Sequence, residues 1–483
     1  MSDLMTMGLE AAVLITALAL LLLDLWTPPA EKRVLSYAAV IAVGVIFLAS
    51  FAFVTPGPRT AFGGMYVLDE YALYFKRFFL LAALLVLLFA VESPADRERS
   101  ETEYSALTLF ALTGMMFAAS ANDFSLLFLA LELVTITFYV LTSYHRRQPV
   151  SLEAGAKYLI LGALSSAFLV YGIALVYGAS GTLSLPRLAA APADVLRGPL
   201  FETGLLLVFA GLAFKLAAVP FQVWAPDVYQ GAPTPTTAFL AIGSKAAGIA
   251  LLVRWLMALL PGLDPHWQLL LMIVAGASMV YGVLCAIPQR NLKRLLAYSS
   301  IANAGYLLLG ICTTTREGLA AVLFYLAGYL FALAAAFGVL CLVARTTEEE
   351  EISALAGLHR QSPLLAATLA TAMVSLAGIP PLAGFFGKFL LLKAAVSRGE
   401  VSHGMYALVG IAILGVVISI YYYFGVIRTL YWTEPSARRQ GCRIGINWPA
   451  RVALWTCLAG LLWLGIFPNA VVNLADQAIG TLM

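Results

Sequence analysis

Four ionisable residues lie deep inside long apolar stretches of this sequence: Glu132, Lys215, Lys245 and Lys388. If these stretches cross a membrane, each such charge lies near the bilayer centre, where it costs at least about 2.5–3.5 kcal/mol. A residue kept at this cost is expected to have a function. Lysine gains and loses its proton readily when buried, whereas arginine keeps its proton. Lysines at these sites therefore favour proton transfer. Glu132 and Lys215 lie at similar depth, which predicts an ion pair that either relays a proton or statically joins two helices.

The composition indicates that the apolar stretches do cross a membrane. The chain has 483 residues, of which 61% are hydrophobic and only 11% are charged. A soluble globular domain is about half apolar and about a quarter charged, so this chain cannot cover a soluble surface. The net charge of +3 is small, and no long basic run marks a nucleic-acid-binding face. The composition predicts a polytopic protein embedded in lipid and excludes secreted, disordered and nucleic-acid-binding classes.

Histidine and cysteine usage predicts that the chain itself binds no cofactor and no metal. The four histidines lie in or beside polar stretches, so no pair is placed on spanning helices to hold a haem. The five cysteines form no CxxC motif and no metal-ligand spacing. The segment Ala383–Lys388 (AGFFGK) lacks the first glycine and the final Ser or Thr of a phosphate-binding loop. Any redox chemistry that this chain serves is therefore expected on other proteins.

Windows of about 20 apolar residues predict fourteen transmembrane helices. Their predicted bounds are 8–27, 34–54, 71–91, 104–120, 123–143, 155–178, 203–226, 236–258, 267–287, 295–313, 318–344, 363–392, 405–431 and 449–471. The predicted fold class is therefore an all-α polytopic membrane protein. Its expected parts are a three-helix N-terminal segment (1–103), helices 4–8 (104–258), helices 9–13 (267–431) and a C-terminal segment with helix 14 (432–483).

The positions of the positive charges predict the orientation of these helices. Of the 29 Lys and Arg residues, sixteen fall in the odd-numbered loops or in the helix ends that border them, six fall in the even-numbered loops, and seven lie further inside helices. Cytoplasmic loops carry the excess of Lys and Arg in membrane proteins. The odd-numbered loops are therefore expected in the cytoplasm, with both termini outside. Glu10 and Asp24, near the ends of helix 1, are expected to reach the membrane interface.

Prolines interrupt two of the predicted helices close to a lysine. Helix 7 has Pro220 five residues after Lys215, and helix 12 has Pro380 and Pro381 before Lys388. A proline in a spanning helix frees a carbonyl group, which is tolerated where a cavity or a neighbouring helix satisfies it. Broken helices at matching places are typical of transporters built from inverted repeats, and a simple packing kink is the alternative. Helices 4–8 and 9–13 are the expected repeats.

A polar stretch, Gln289–Tyr306, leads from a basic loop into helix 10. Its side chains predict either a hydrogen-bonded water chain or a set of contacts between helices: Tyr298, Ser299, Ser300, Asn303 and Tyr306. Lys157, less deep in helix 6, is a further candidate for a proton path. The prolines of Pro226–Pro235 predict a rigid turn between helices 7 and 8. The acidic run Glu348–Glu351 predicts a solvated loop or a contact for a cytosolic partner.

At these residues the chain resembles subunit N of the proton-pumping NADH:quinone oxidoreductases, the respiratory complex I family. The most specific stretch is Phe214–Gly248 (FKLAAVPFQVWAPDVYQGAPTPTTAFLAIGSKAAG), and Lys157–Gly172 and Lys293–Tyr306 are also similar. The resemblance covers nearly the whole chain. It implies a proton path through Glu132, Lys215, Lys245 and Lys388. Asn303 departs from many family members, which have histidine there. Because asparagine cannot take up and pass on a charge, water would have to bridge this step.

The resemblance further implies an antiporter-like subunit of fourteen helices, not catalytic on its own, that binds no cofactor. NADH, FMN, iron–sulfur clusters and quinone are expected on partner subunits, where redox energy drives proton transfer through this chain. The implied partners are other antiporter-like and small helical membrane subunits and, indirectly, the peripheral redox arm. The implied location is the cytoplasmic inner membrane of a bacterium or an archaeon. The alternatives are a subunit of a multisubunit cation/proton antiporter, a solute transporter and a passive membrane scaffold.

Overall fold

The computed structural model describes residues 2–28, 31–53, 57–91, 101–259, 266–344, 351–400, 402–434 and 444–483. Within these ranges the chain forms 22 α-helices and one two-stranded β-hairpin. Twelve of the described helices are long and apolar enough to cross a membrane. The prediction of an all-α polytopic membrane protein is therefore confirmed, and the exact number of fourteen spans stays a prediction.

The N-terminal segment contains four helices and the hairpin. The helices are α1 (Ser2–Thr6), α2 (Gly8–Trp26), α3 (Arg33–Ala49) and α4 (Glu70–Ala90), and the strands are β1 (Arg59–Ala61) and β2 (Tyr66–Leu68). The strands pair antiparallel with Thr60 opposite Val67. Asp69 caps α4, because its carboxylate accepts a hydrogen bond from the backbone N–H of Ala72 at 2.7 Å. Most of α4 is buried, whereas α2 and α3 expose broad apolar faces.

The next part of the chain contains the first helix break. Its helices are α5 (Glu101–Ser120), α6 (Phe124–Thr142), α7 (Pro149–Ser180), α8 (Leu185–Ala189), α9 (Ala193–Leu196), α10 (Pro199–Leu216), α11 (Trp224–Gly231), α12 (Thr234–Phe239) and α13 (Lys245–Leu259). A π-helical turn, Leu240–Ser244, joins α12 to α13 without interruption. The run from α12 through α13 is buried along nearly its whole length, so it forms the centre of the molecule.

The remaining helices contain the second break. They are α14 (His266–Ala286), α15 (Leu292–Cys312), α16 (Arg316–Val343), α17 (Leu358–Gln361), α18 (Pro363–Ala377), α19 (Ala383–Gly399), α20 (Gly404–Trp432), α21 (Trp448–Ile466) and α22 (Asn469–Gly480). Helices α15 and α16 are buried and pack against each other and against the first part through α11 and α12. Helices α7 and α20 lie at the periphery, because most of their apolar surface is exposed.

Two of the predicted spans differ from the twelve long apolar helices. The first is α5, which is polar in its first turn, where Glu101 and Glu103 lie, and which packs among α2, α4, α6 and α13. The second is predicted helix 12, which the structure divides into α18 and α19. The hairpin lies outside every predicted span, and the amphipathic helix α22 overlaps only the last three residues of predicted helix 14, since neither is a long apolar segment.

The predicted rigid turn at Pro226–Pro235 is wrong for most of its length. Helix α11 continues to Gly231 and α12 begins at Thr234, so only residues 232 and 233 are non-helical. Pro226 and Pro235 each lie in the first turn of a helix, where a missing N–H costs no intrahelical hydrogen bond. Of the predicted acidic loop, residues 348–350 lie outside the described residues, and Glu351 forms a β-bridge with Asn291.

Candidate functional site

Both predicted helix breaks are present, and both end their first half in the same way. In α10 the N–H of Ala217 donates to Phe214 O at 3.0 Å, and the N–H of Ala218 donates to Ala213 O at 2.9 Å. In α18 the N–H groups of residues 378 and 379 repeat this pattern at 2.9 and 3.2 Å. This is the Schellman motif, with the residue after the helix in the left-handed conformation. Ala217 has φ 53° and Gly378 has φ 82°.

Pro220, Pro380 and Pro381 all lie in the non-helical segments that follow these ends. Their missing N–H groups and fixed φ angles prevent the helix from continuing. The chain becomes helical again at Trp224 in the first break and at Ala383 in the second. The two breaks therefore have the location that the sequence predicted.

Lys215 lies in the last turn of α10, directly before the first break, and only 5% of it is exposed. Its Nζ donates to Thr135 Oγ1 of α6, and the Thr135 hydroxyl donates to Leu131 O at 2.5 Å. The rings of Tyr158 and Phe214 lie about 6 Å from Nζ. A cation in the last turn of a helix is stabilised by the negative end of the helix dipole.

The predicted direct ion pair between Glu132 and Lys215 is wrong. Glu132 is partly buried and accepts a hydrogen bond from Ser166 Oγ of α7, while Lys215 bonds to Thr135. Residues three apart on a helix are neighbours on its surface, so Thr135 lies beside Glu132 on α6, and it accepts the hydrogen bond from Lys215 instead of the carboxylate.

Lys245 is the first residue of α13, directly after the π-helical turn, and is 2% exposed. Its Nζ donates to the carbonyl oxygen of Ser300 at 2.5 Å and also contacts Ser300 Oγ. The Tyr229 hydroxyl of α11 lies 3.3 Å from the same Oγ. Gly248, one turn further along α13, faces Lys215, since a Cβ added there would lie 3.4 Å from Lys215 Cβ. Lys215 therefore packs against α13, the helix that carries Lys245.

Lys388 belongs to α19, but its side chain donates a hydrogen bond to a carbonyl group at the end of α18. Its Nζ donates to Leu376 O at 2.7 Å, and the Tyr306 ring lies 5.1 Å away. The last carbonyl groups of an α-helix have no partner within the helix. The two halves meet closely at Gly384, whose backbone N–H donates to Ser375 Oγ at 3.1 Å. A Cβ at Gly384 would overlap the carbonyl oxygen of Ser375, so only glycine fits there.

The polar side chains of α15 form a network between Lys245 and Lys388. Ser299 is hydrogen-bonded to the Tyr423 hydroxyl of α20, and the Asn303 amide donates to Ser299 Oγ at 3.3 Å. The Tyr325 hydroxyl of α16 donates to Asn303 Oδ1 at 2.6 Å. The network joins three helices and is built entirely from neutral groups. It can therefore hold helices together and can also order water for proton transfer.

The two predicted tyrosines of α15 lie at the margins of this network. The Tyr306 hydroxyl donates to Ala412 O at 3.0 Å, so the ring rather than the hydroxyl faces Lys388. Tyr298 packs against Tyr281, with the Arg294 guanidinium 5.9 Å from its ring. Neither hydroxyl bonds directly to one of the three buried lysines.

Lys157 is not part of the buried series. Its side chain is 41% exposed and pairs with Glu153 and Asp227, each at 2.7 Å. Arg294 binds the other oxygen of Asp227 at 2.6 Å. Lys157 therefore belongs to a surface cluster that links the start of α7 to α11 and α15. In the ranges that the structure describes, no group of three or more His, Cys, Asp or Glu side chains is placed to hold a metal ion.

Comparison with known proteins identifies the family. Residues 121–419 match the family model described as NADH:quinone oxidoreductase/Mrp antiporter, transmembrane. The NADH-quinone oxidoreductase subunit N of Desulforamulus reducens is 40% identical over 470 residues, which cover 97% of this chain and 96% of the relative. That of Moorella thermoacetica is 41% identical over 487 residues, covering 100% and 99%.

The chain belongs to the subunit N family of NADH-quinone oxidoreductases. The fold agrees with this assignment. A chain in a solved structure of respiratory complex I from Thermus thermophilus with bound aureothin matches with a TM-score of 0.80. It is 34% identical, and the match covers 97% of this chain and 99% of that one.

Sequence reasoning missed several residues that complete the site of this subunit N family member. Thr135 is the acceptor for Lys215, and its position three residues after Glu132 was the available signal. Tyr325 and Tyr423 complete the network of Ser299 and Asn303, but nothing in their local sequence marks them. The π-helical turn before Lys245 was also missed, since it contains no proline.

The expectation that Glu10 reaches the membrane interface is wrong. Glu10 is completely buried, and its Oε1 lies 2.8 Å from Lys76 Nζ. The Tyr66 hydroxyl donates to the same oxygen at 3.0 Å and accepts from Lys76 at 2.6 Å. The pairing explains the burial, because a paired charge can remain inside at much lower cost than an isolated one. Asp24, in contrast, is more exposed and pairs with Lys32 at 2.6 Å.

Proposed function

We propose that this chain is the proton-translocating membrane subunit of an NADH-quinone oxidoreductase and that protons pass along Glu132, Lys215, Lys245 and Lys388. The observation that carries the proposal is the difference between the partners of these three lysines and the partners of two other buried cations. The three lysines of this series donate only to neutral oxygens of Thr135, Ser300 and Leu376. Two other buried cations, Lys76 and Arg254, each pair with a carboxylate at 2.8 Å.

This difference separates proton carriers from structural charges. A buried ammonium group without a counter-charge is costly, whereas one that is paired and hydrogen-bonded is compensated. The charged and neutral forms of the three lysines are therefore close enough in free energy for both to be populated. Neutral oxygens accept a hydrogen bond from either form of the amine. Lys76 and Arg254 keep their charge because loss of it would leave a buried carboxylate unpaired.

The order of the groups supports transfer along one line. Glu132 and Lys215 lie on α6 and α10, Lys215 faces α13, and Lys245 of α13 binds Ser300 of α15. From there the hydroxyl and amide groups of Ser299 and Asn303 lead towards Lys388, with Tyr298 and Tyr306 at the margins. Because Asn303 cannot carry a charge, we infer that ordered water bridges this part of the path. Lys157, which pairs with Glu153 and Asp227 at the surface, lies outside this line.

The helix breaks and the loop charges support further parts of the proposal. We infer that residues 104–258 and 267–431 are two inverted repeats, since each contains one helix that is broken beside a lysine. The excess of Lys and Arg in the odd-numbered loops supports an orientation with both termini outside the cytoplasm. We expect NADH, FMN, iron–sulfur clusters and quinone to bind partner subunits. The expected neighbours are antiporter-like and small helical subunits in the cytoplasmic membrane, with the peripheral redox arm reached through them.

The alternative of a cation/proton antiporter subunit is less well supported. The matched family model includes Mrp antiporters, but the relatives from Desulforamulus reducens and Moorella thermoacetica, which match over nearly their whole length, are subunit N proteins. Purification from native membranes separates the two functions. Recovery together with a peripheral arm that oxidises NADH supports the proposal. Sodium-dependent transport without redox activity would support the antiporter.

The role of the buried lysines is tested with Lys215→Met in the assembled complex. Methionine keeps much of the side-chain volume and removes the protonatable amine. We expect proton pumping per electron transferred to fall by at least about tenfold, in line with the removal of a group that takes part directly in proton transfer. Lys157→Met is the matched control, because Lys157 is a lysine at the surface of the same repeat, and it should lose less than half of the pumping. Normal pumping by Lys215→Met would refute the role.

A further inference from the structure

A second pair of buried charges holds the helix that begins with Lys245. Arg254 lies on α13, nine residues after Lys245, and is 5% exposed. Its two terminal nitrogens donate to the two oxygens of Asp69 at 2.8 and 2.9 Å, and one of them also donates to Ala119 O of α5 at 2.9 Å. Asp69 is 3% exposed and is the residue that caps α4. This bidentate geometry fixes direction as well as distance.

A neighbouring tyrosine adds a second point of attachment. The Tyr71 hydroxyl of α4 donates to Ala250 O of α13 at 2.9 Å. Its ring lies 4.9 Å from the Arg254 guanidinium carbon, within the range of a cation–π contact. The start of α4 is therefore bonded to α13 at residues 250 and 254. We call Asp69, Tyr71 and Arg254 the α4 clamp.

The α4 clamp and Lys245 lie on opposite sides of α13. Nine residues of an α-helix correspond to two and a half turns, so Arg254 points about 180° away from Lys245 and lies about 13 Å along the axis. Fixing Arg254 therefore fixes the rotation of α13 that directs Lys245 towards Ser300. The preceding residues, Leu240–Ser244, form the π-helical turn, whose hydrogen-bond pattern differs from that of the helix on both sides. Lys245 lies at the junction between this turn and the clamped part of the helix.

We propose that Asp69 and Arg254 are positioning residues for Lys245 and that the clamp sets the contact between Lys245 and Ser300. The inference rests on the proposed role of Lys245 in proton transfer. When the clamp is removed, α13 can rotate about its axis, and the Lys245 amine moves away from its acceptor. A misplacement of about 1 Å is enough to lower the rate of a transfer step by about a hundredfold.

The structure offers a matched control for the clamp. Glu10 and Lys76 form another buried ion pair that involves α4, but its salt bridge joins α4 to α2 rather than to α13. If buried ion pairs of this region serve only to hold the N-terminal segment together, the two pairs should behave alike. If the clamp positions Lys245, only its removal should change proton transfer.

The experiment compares two double variants in the assembled complex, Asp69→Asn with Arg254→Met and Glu10→Gln with Lys76→Met. Each removes both charges of a pair, so neither leaves a charge unpaired, and asparagine still caps α4. We measure proton pumping per electron transferred across a range of pH. For the clamp variant we expect a fall of about tenfold and a displaced pH profile, and for the control variant the values of the wild type. Arg254→Lys, which keeps the charge and loses the bidentate geometry, should give an intermediate result.

Two further variants keep the inference testable if the double variant assembles poorly. Tyr71→Phe removes only the hydrogen bond to Ala250 and should produce a smaller displacement in the same direction. Lys245→Met is measured in parallel. If Lys245→Met abolishes pumping while the clamp variant pumps like the wild type, the positioning role is refuted and the role of Lys245 stands. If Lys245→Met itself pumps normally, the proposed function of Lys245 fails and the positioning role fails with it.

Discussion

The Nζ of Lys388 donates to the carbonyl oxygen of Leu376 at 2.7 Å, across the break that separates α18 from α19. Leu376 lies in the last turn of α18, where carbonyl groups have no partner within the helix. The lysine of α19 therefore donates to a carbonyl group that has no partner within α18, and its charge lies at the negative end of the α18 helix dipole. Lys215 has a related place in the last turn of α10. A change in the protonation of either lysine thus changes the stability of a helix end.

The close approach of α18 and α19 leads to a first prediction, for Gly384→Ala. A Cβ there would overlap the carbonyl oxygen of Ser375, so the two half-helices would have to separate. Overpacking of a buried contact costs about 1–3 kcal/mol, and the separation would also weaken the contact between Lys388 and Leu376. We expect a lower thermal midpoint of the purified complex and reduced pumping.

Gly410→Ala is the control for this substitution. Gly410 lies in the helix α20, and a Cβ added to it would meet no atom within 4 Å. Alanine is favoured over glycine inside a helix by about 1 kcal/mol, so this variant should be as stable as the wild type or slightly more stable. Equal thermal midpoints for the two alanine variants would contradict the close contact at Gly384.

A second prediction concerns the acceptor of Lys215. Thr135→Val keeps the shape of the side chain but removes the oxygen to which Lys215 donates. A hydrogen bond to a charged group contributes about 1.5–3 kcal/mol, so we expect the charged form of the lysine to lose this stabilisation and pumping to fall by about tenfold or more. The measurement is proton pumping per electron transferred in vesicles that contain the complex.

Thr137→Val provides the matched control on the same helix. Thr137 is also buried, and its hydroxyl bonds only to Leu133 O, at 2.6 Å. Its replacement should leave pumping within about twofold of the wild type, because its hydroxyl bonds to the backbone of its own helix and not to a member of the proposed proton path. If both valine variants pump equally well, Thr135 has no part in proton transfer.

A third prediction concerns the ion pair of Glu10 and Lys76. Glu10→Gln leaves the charge of Lys76 buried without a carboxylate, which costs about 3–5 kcal/mol. Adding Lys76→Met removes that charge and should restore most of the lost stability, because a neutral pair does not need compensation. The measurement is the thermal midpoint of the complex. Equal loss of stability in the single and the double variant would show that the pair contributes through packing and not through charge.

The sequence predicted those parts of the molecule that local chemistry determines. The helix breaks could be predicted because Pro220, Pro380 and Pro381 follow long apolar stretches, and a proline beyond the first turn cannot continue a helix. The burial of Lys215, Lys245 and Lys388 followed from their apolar surroundings. In contrast, the π-helical turn Leu240–Ser244 has no such marker, since its residues all fit an ordinary α-helix.

Partners that are distant in the sequence could not be predicted. Glu10 pairs with Lys76, which lies 66 positions away. The residues around Glu10 in the sequence do not reveal this partner, and they show only a charged residue near a helix end. Asp69 and Arg254 are 185 positions apart, and Asp69 precedes a helix, where it would be expected merely to cap it. The prediction of an ion pair between Glu132 and Lys215 was wrong for a related reason. Equal depth places two groups in one layer, but their rotation about the helix axes decides whether they meet.

The last prediction separates proton transfer from fixed charge. Lys215→Arg, Lys245→Arg and Lys388→Arg each keep the positive charge of the site, beside a helix break or, for Lys245, beside the π-helical turn, but arginine does not release its proton under ordinary conditions. If the site needs only positive charge beside the helix ends, these variants should pump. We expect instead that each loses pumping as severely as the corresponding methionine variant, with Lys157→Arg at the surface as the control that retains it. The measurement is pumping per electron transferred at several pH values, and pumping by any of the three buried arginine variants would identify that position as a fixed charge and not as a proton carrier.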